Sequence, residues 1–547
     1  MKSVKYIFAL AAAVLMLNAC SEKWLSQEPE GATVTEDQFK NRDDMLQGSV
    51  YGIYAMMYQY SDHDVFGFRS IDMYGDINCG DMAMKSWSYG WFQTDEMGQT
   101  YQRRAYFWSY YYDMIRQCNK AILNIKQVID VSKIDDDEYV KKEAAGCYYY
   151  GEALAMRGWA YSNLIKWFCL TPTQLAMEGT DLEDKKALPI YTEEVVKADS
   201  IMGAKLSSAA DVYRRIEEDL STAIRCLSLA ESAGVTRSLK HEVNSDVARL
   251  ILAYAYLNKE DWGNAEKWAL EFINNTAAPI LPNDKVLTTG FANVDEPNWL
   301  WGQDVNVVTS TALASFFGQV DVFSYSYAWA GDVKGIDENL YKEVTDSHKW
   351  DIRSQWWNNL YSKHKQYQFA PDGKFYSPSI KNANNYQSLP TGDEIDKVWL
   401  CDQVYMRAEL GYLIAAEAQW WLGQEDAGKL TESMNNLIMI TDQRQNDATD
   451  ANGYYSAWKS SLSDPDVLFE EIRYNWRVEL WGEGYGMQTF RRFGEQVTLG
   501  SNHKTRANKQ INPNGQAERR QFTMEIPSGE QYYNPYLRDI TTLQTQD

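Results

Sequence analysis

Histidine is scarce in this chain: there are five in 547 residues, at positions 63, 241, 348, 364 and 503. None forms an H-E-x-x-H pair and none adjoins a G-x-S-x-G serine, so the zinc-hydrolase and nucleophile-elbow patterns are both missing. Basic residues are also in deficit, with 53 Lys plus Arg against 76 Asp plus Glu and a formal net charge of −23. Such a surface repels a polyphosphate, which argues against a nucleic-acid partner. The seven cysteines, at 20, 79, 118, 147, 169, 226 and 401, include no C-x-x-C spacing, so no zinc or redox site is expected. Cys118, Cys147 and Cys226 fall among apolar neighbours in helical patterns and are expected as free core thiols. Gly482-Glu483-Gly484-Tyr485-Gly486 has the look of a phosphate loop, but no strand precedes it. Asp447 to Gly453 fails as a calcium loop, since Lys459 takes the last ligand position. No cofactor and no metal is expected.

Long apolar runs are missing too, apart from Ile7 to Leu17 behind Lys2 and Lys5. Crossing a bilayer takes about 20 apolar residues, so this run reads as a cleaved export signal over residues 1–19. Cys20 follows Leu17-Asn18-Ala19, a lipobox-like context in which the thiol is acylated and becomes the new N-terminus. The mature chain would then be soluble and tethered to a membrane by lipid.

Most of the chain beyond Cys20 has a 3.6-residue period, so a mainly α fold is expected. Residues 43–60, 106–128, 143–168 and 211–229 read as amphipathic helices, the last with Asp211 as its cap. In the third, Ala153, Ala155, Gly158 and Ala160 make a small-residue face that lets another helix approach closely. Residues 246–275 split into two helices around 258–264, with small and aromatic residues spaced as in a tetratricopeptide unit. Residues 405–422 and 427–441 make a second such pair. A single pair cannot bury its own face, so the pairs must stack. Between them, 276–398 is rich in Asn, Gly, Ser, Trp and Tyr and is expected to hold long inserted loops and short strands such as Trp299-Leu300-Trp301.

A set of motifs in this order resembles the SusD/RagB family of outer-membrane nutrient-binding lipoproteins. Trp24 to Pro29 resembles its segment after the lipid, and Glu152-Ala153-Leu154-Ala155-Met156-Arg157-Gly158-Trp159-Ala160-Tyr161 its signature helix. Trp167 to Pro172 departs from the F-G-D-x-P turn that is usual after that helix. Asp295 to Trp301 is similar to N-P-E-x-I-W, Asp351-Ile352-Arg353 to D-x-R, and Arg407-Ala408-Glu409 through Glu417-Ala418 to R-x-A-E-x-x-L-I-x-A-E-A. Glu479-Leu480-Trp481-Gly482-Glu483-Gly484 fits E-L-x-x-E-G, with Tyr485-Gly486 where His-Arg is usual. Arg491-Arg492-Phe493-Gly494 and Ile526-Pro527-Ser528-Gly529-Glu530 with Asn534-Pro535 complete the order. The resemblance implies a scaffold of helical hairpins with ligand loops inserted, an N-terminal region over 20–230 and a C-terminal one over 231–547. It also implies docking on a SusC-type TonB-dependent transporter and capture of glycans without catalysis.

A neutral sugar is held by aromatic rings under its C–H faces and by polar groups on its hydroxyls, and Trp and Tyr suit the first task. Ser86-Trp87-Ser88-Tyr89-Gly90-Trp91 places three aromatics two apart, so in an extended segment all three project to one side. Phe323-Ser324-Tyr325-Ser326-Tyr327-Ala328-Trp329 repeats the alternation. Trp87, Tyr89, Trp91, Tyr325, Tyr327 and Trp329 are therefore expected to form an aromatic platform, with Asp76, Asn78 and Asp81 bonding ligand hydroxyls. The structural alternative is that these rings pin loops to the scaffold. Other readings of the whole chain stay open: a peptide-binding lipoprotein of RagB type, a glycoside hydrolase, which needs only two carboxyls at about 5 to 10 Å, or a repeat scaffold that binds only protein.

Overall fold

The computed structural model describes residues 42–86, 91–92, 103–196, 203–288, 290–291, 293–306, 309–311, 313–322, 326–357, 369–371, 374–375, 401–446, 450–506, 509–515 and 522–538. The chain divides into two compact units, residues 1–48 and 49–547. In the first unit, residues 42–48 are described, and they begin helix α1 (Arg42–Tyr54). The second unit is mostly helical. Its long helices are α2 (Phe68–Asn78), α3 (Arg103–Lys126), α4 (Ala144–Phe168), α5 (Ala209–Ser232), α6 (Ser245–Asn258), α7 (Trp262–Asn275), α8 (Glu409–Leu422), α9 (Ala427–Thr441), α10 (Pro465–Glu479) and α11 (Gly486–Phe493). The expected regional junction near residue 230 falls at the end of α5, inside this unit.

From α3 to α9 the long helices stack in chain order, each on the next. Close approach depends on the small residues. A Cβ at Gly151 or Gly158 of α4 would stand 2.8 Å from Leu227 or Leu220 of α5, and one at Gly411 of α8 would stand 2.5 Å from Phe272 of α7. Both helical hairpins read from the sequence are present. Asn244 caps α6 and Asp261 caps α7, each side chain accepting from a first-turn amide. Several boundaries differ from expectation, and the first helix ends at Tyr54 and not at residue 60. α5 is capped by Ser208, with Asp211 at the third helical position returning a bond to the Ser208 amide, so Asp211 is half of a capping box and not the cap. The helix expected from 405 starts at Glu409, because Gln403–Arg407 is a strand (β4) paired antiparallel with β2 (Trp299–Gln303). Among the described residues six cysteines are buried thiols outside any disulfide, Cys118, Cys147 and Cys226 among them.

The family-like motifs converge in the interior as ion-pair hubs. Glu479 receives Arg407 (2.7 Å), Arg444 (2.7 Å) and Arg353 (2.9 Å), while Arg353 also holds Asp351 at 2.6 Å and Arg444 reaches Glu409 at 3.2 Å. Glu483 receives Arg407 and Lys374, each at 2.9 Å. Four cations thus meet four carboxylates, all of them buried. Burial alone would raise the Glu479 carboxyl, but Arg444, Arg407 and Arg353 hold it well below the usual carboxylate range. A second hub joins α4 to α5, where Arg157 forks onto Asp219 through Nε and Nη2 at 2.8 and 2.7 Å. In a third, Arg492 pairs with Glu417 in the same two-pronged way.

The glycine turn at 482–486 has an internal partner. The amides of Gly484 and Gly486 each donate to Asp76 of α2 at 3.2 Å, so this loop cradles a carboxylate of its own chain. Gly484 has φ +85°, and a Cβ there would meet Asp72 Oδ1 at 2.1 Å, which is why the position excludes a side chain.

His348 ties the segment after residue 342 to α10. Its ring stacks on Tyr474 with 3.7 Å between centres, Nε2 lies 2.9 Å from Glu471 Oε2, and Nδ1 lies 3.0 Å from the Glu343 carbonyl. Burial works against the imidazolium, but the bond to Glu471, its charge and the Glu343 carbonyl together raise the pKa above its ordinary value. A raised folded-state pKa means that this stabilisation is complete below the unfolded value of about 6.5 and is lost as pH rises through the folded one. A His348→Gln variant is therefore expected to melt below the parent at acidic pH, with the gap closing as pH rises through neutrality. Thermal melts over that range check it, and a gap independent of pH would refute it.

Candidate functional site

Strand β1 (Met82–Met84) follows α2 and pairs antiparallel with β3 (Lys334–Ile336), with Met82 opposite Ile336 and Met84 opposite Lys334. The ladder runs on through Lys85 N–H to the Val333 carbonyl (3.2 Å) and Ser86 Oγ to Asp332 (2.8 Å). Two loops some 240 residues apart in sequence are thereby clamped side by side at one end of this ribbon.

Trp91 and Tyr327 meet there, with ring centres 4.7 Å apart at 74°. His63 completes a trio, its ring centre 5.0 Å from Trp91 and 5.5 Å from Tyr327, and its Nδ1 is 2.9 Å from the Tyr327 hydroxyl. Tyr60 stands edge-on to His63 at 6.1 Å and is 58% exposed. All three members of the trio are half-buried.

The next residue, Phe92, holds Trp91 in place. It is buried against Tyr74 and Phe66, with a left-handed φ of +54°. That conformation costs a non-glycine residue on the order of 1 kcal/mol, which the burial of its ring offsets. The strain is stored where the chain turns one ring inward and the preceding one toward the surface. On the other side, Tyr327 N–H donates to the Gly318 carbonyl, and Gln319 Nε2 donates to the His63 carbonyl at 2.8 Å.

Charge lies beside the rings. Arg103, at the start of α3, is 2.6 Å from buried Asp64 and 3.6 Å from half-exposed Asp62, and Tyr74 also donates to Asp64. Burial pulls the Arg103 guanidinium down, but Tyr74 and Asp64 more than offset it, so its pKa lies above the ordinary value.

The sequence-derived candidates fall into three groups. Trp91 and Tyr327, one from each cluster, are brought together, and Trp329 is half-buried two residues beyond Tyr327. Trp87, Tyr89 and Tyr325 lie outside the described residues. Asp76, Asn78 and Asp81 require correction, because they are interior residues at 2%, 1% and 4% exposure. Asp76 accepts the two glycine amides, Asn78 donates to Met487 Sδ, and Asp81 pairs with Arg477 at 2.7 Å. Burial, with Asp72 and Asp81 adding, pushes Asp76 up to about 8. Proximity in sequence misled here because the end of α2 and the residues just after it run through the interior, where each of these side chains is turned to a protein partner and away from solvent. The expected alternation at 326–329 is also replaced by a turn, in which Ser326 Oγ accepts the Trp329 amide at 2.9 Å. Tyr60, His63 and Arg103 were not singled out by the sequence. The one available sign was the polar run Tyr60-Ser61-Asp62-His63-Asp64 directly after the first helix.

Comparison with known proteins matches this arrangement to one family. A model described as starch-binding, associating with outer membrane, matches residues 23–252, and the SusD family model matches residues 322–545. The chain belongs to the SusD family. A SusD-like protein of Bacteroides ovatus is 25% identical over 280 residues, covering 51% of this chain and 44% of that protein, so the match spans less than half of the relative's length. Among solved structures, a SusD-like carbohydrate binding protein from Bacteroides vulgatus has a TM-score of 0.65 at 19% identity, covering 90% of this chain and 97% of its own. A SusD superfamily protein from Bacteroides thetaiotaomicron has the same TM-score at 18% identity, covering 90% and 98%. At those identities the likeness is one of fold. The SusD fold accounts for the stacked hairpins and the short two-stranded ribbons, and in this member it holds the ring trio at the end of the β1·β3 ribbon. No helix among the described residues is long and apolar enough to cross a membrane.

Proposed function

We propose that this SusD-family chain is a cell-surface lipoprotein of the outer membrane that binds glycan chains and passes them, unaltered, to a partner SusC-type TonB-dependent transporter. Acylated Cys20 is its anchor, and the Trp91, Tyr327 and His63 trio with Tyr60 beside it is its contact surface. The observation that carries this reading is the meeting of Trp91 and Tyr327 at 4.7 Å. Two aromatic loops from distant parts of the chain converge at the surface, edge to face, beside hydrogen-bonding groups on His63, Asp62 and Arg103. Rings supply the apolar contact for sugar C–H faces, and the neighbouring side chains bond hydroxyls. One structural neighbour is described as carbohydrate binding and one matching family model as starch-binding, which supports the ligand class.

The experiment is affinity electrophoresis of the purified chain in gels cast with plant, host and microbial polysaccharides, followed by a reducing-end assay on whichever retards it. Retardation by at least one polysaccharide with no release of reducing ends is expected. Migration unretarded by every gel, or cleavage of the retarding glycan, overturns the reading.

A further inference from the structure

A second concave surface lies along α3. Tyr112 and Asn119 come about two and a half and four and a half turns after Arg103, half a turn out of phase with it, so they occupy the side of the helix away from the ring trio. Between that side and the chain at Tyr191 is a groove of about 460 Å³, within the size range of small-molecule sites.

Its floor is aromatic and braced. Trp108 and Tyr112 lie 4.6 Å apart and Tyr191 stands edge-on to Tyr112 at 5.8 Å. The Tyr112 hydroxyl donates to the Pro189 carbonyl (2.9 Å), the Tyr191 hydroxyl accepts from Ala204 N–H (3.2 Å), and Asn119 donates to the Tyr191 carbonyl (3.1 Å). Rings pinned in this way lose little freedom on binding. Around the rim, Arg116 is paired with Asp113 at 2.8 Å, and Lys120 and Glu530 add one charge of each sign. On a chain with a net charge of −23 this rim is balanced, which favours a neutral, hydroxyl-bearing ligand over an ion.

The surface next to Glu530 is exceptional in its exposure. Tyr532, Tyr533 and Tyr536 are 72%, 80% and 51% exposed, and this segment is fastened beside the groove by Asn534 Nδ2 donating to the carbonyl of Ala204, the residue whose amide meets Tyr191. Exposed aromatics gathered at a concave site mark a contact surface.

We propose that this groove is a second carbohydrate-contact site, taking one or two sugar units of a neutral glycan on the side of α3 away from the loop trio. The groove lies between α3 and the chain at Tyr191 and is sized for sugar units, whereas a docking protein face needs a broad patch of roughly 800 Å² per partner. The ligand class rests on the reading given under Proposed function.

The test is calorimetric titration of the purified chain with maltohexaose, xylohexaose, mannohexaose and a hexasaccharide cut from each polysaccharide that retards it, carried forward with whichever binds. Ser109 lies at the groove, is exposed, and bonds only carbonyls of its own helix, so Ser109→Leu fills the space without disturbing the fold. Two oligosaccharides per parent chain are expected. Ser109→Leu should leave one with loop-site affinity within about twofold, Trp91→Ala with Tyr327→Ala should leave the other, and the triple variant should bind at least about tenfold more weakly than either. A parent stoichiometry of one, as when the groove serves a protein partner, or a stoichiometry unmoved by Ser109→Leu, overturns this proposal and leaves the first reading standing. A parent that binds none of the probes and is unretarded in the polysaccharide gels overturns both.

Discussion

Glu479→Ala is expected to cost this fold roughly 3–5 kcal/mol or more, a large part of the about 5–15 kcal/mol that holds a domain together. The side chain is the shared acceptor of Arg353, Arg407 and Arg444, all buried beyond the reach of water. Its removal leaves Arg353 with Asp351, Arg407 with Glu483 and Arg444 with Glu409, and the hub then carries four cations on three carboxylates. Glu479→Gln separates the two contributions, because it preserves shape and two acceptor or donor sites but not the charge. It should destabilise too, though less than alanine, which also opens a cavity. Thermal or urea melts followed by circular dichroism give the order parent, Gln, Ala. Unchanged midpoints for both variants would mean that the hub contributes nothing net. The effect is confined to folding: any Glu479 variant that remains folded should keep the glycan affinity of the parent.

The second large effect concerns binding. With the α3 groove filled by Ser109→Leu so that the loop site alone is read, Trp91→Ala combined with Tyr327→Ala should weaken oligosaccharide affinity by roughly tenfold or more, at about 0.5–1.5 kcal/mol for each ring lost from an aromatic contact. Both rings are half-buried, so the midpoint of thermal unfolding should fall far less than for Glu479→Ala. Binding of a neutral glycan should also hardly change between low and high salt, because no ion pair is formed with it, whereas a charged peptide would be released as salt screens the Arg103 and Asp62 charges. Calorimetry at two ionic strengths measures both points. An affinity untouched by the double substitution would take the trio out of the site, and a steep salt dependence would favour the peptide ligand.

Only the first of these predictions concerns a residue that made the family legible; Trp91 and Tyr327 lie outside the motifs. Arg353, Arg407, Glu409, Glu479 and Glu483 stand in the sequence motifs, and they are the buried hub. Arg157 and Glu417 likewise sit in motif helices and make interior pairs with Asp219 and Arg492. The recognisable part of the chain is therefore its packing chemistry. Buried charges tolerate few replacements, since each needs a partner of opposite sign at a set distance, whereas a surface ring patch can be rebuilt from many residues. The same distinction explains the misreading of Asp76, Asn78 and Asp81, whose polar character suggested hydroxyl binding but serves interior contacts of α2 and the residues that follow it.

Sequence alone determined the helical class, the two hairpins, the small-residue face of α4 and the family. Each is written in local periodicity or in short ordered motifs, which need no knowledge of distant contacts. Tertiary structure alone decided which aromatics meet. The pairing of Met82–Met84 with Lys334–Ile336 joins segments about 250 residues apart through backbone hydrogen bonds, which carry no side-chain signature. Only once that ribbon forms do Trp91, Tyr327 and His63 share a surface, and only the stacking of α3 on α4 leaves its outer side free to frame a groove with Tyr191.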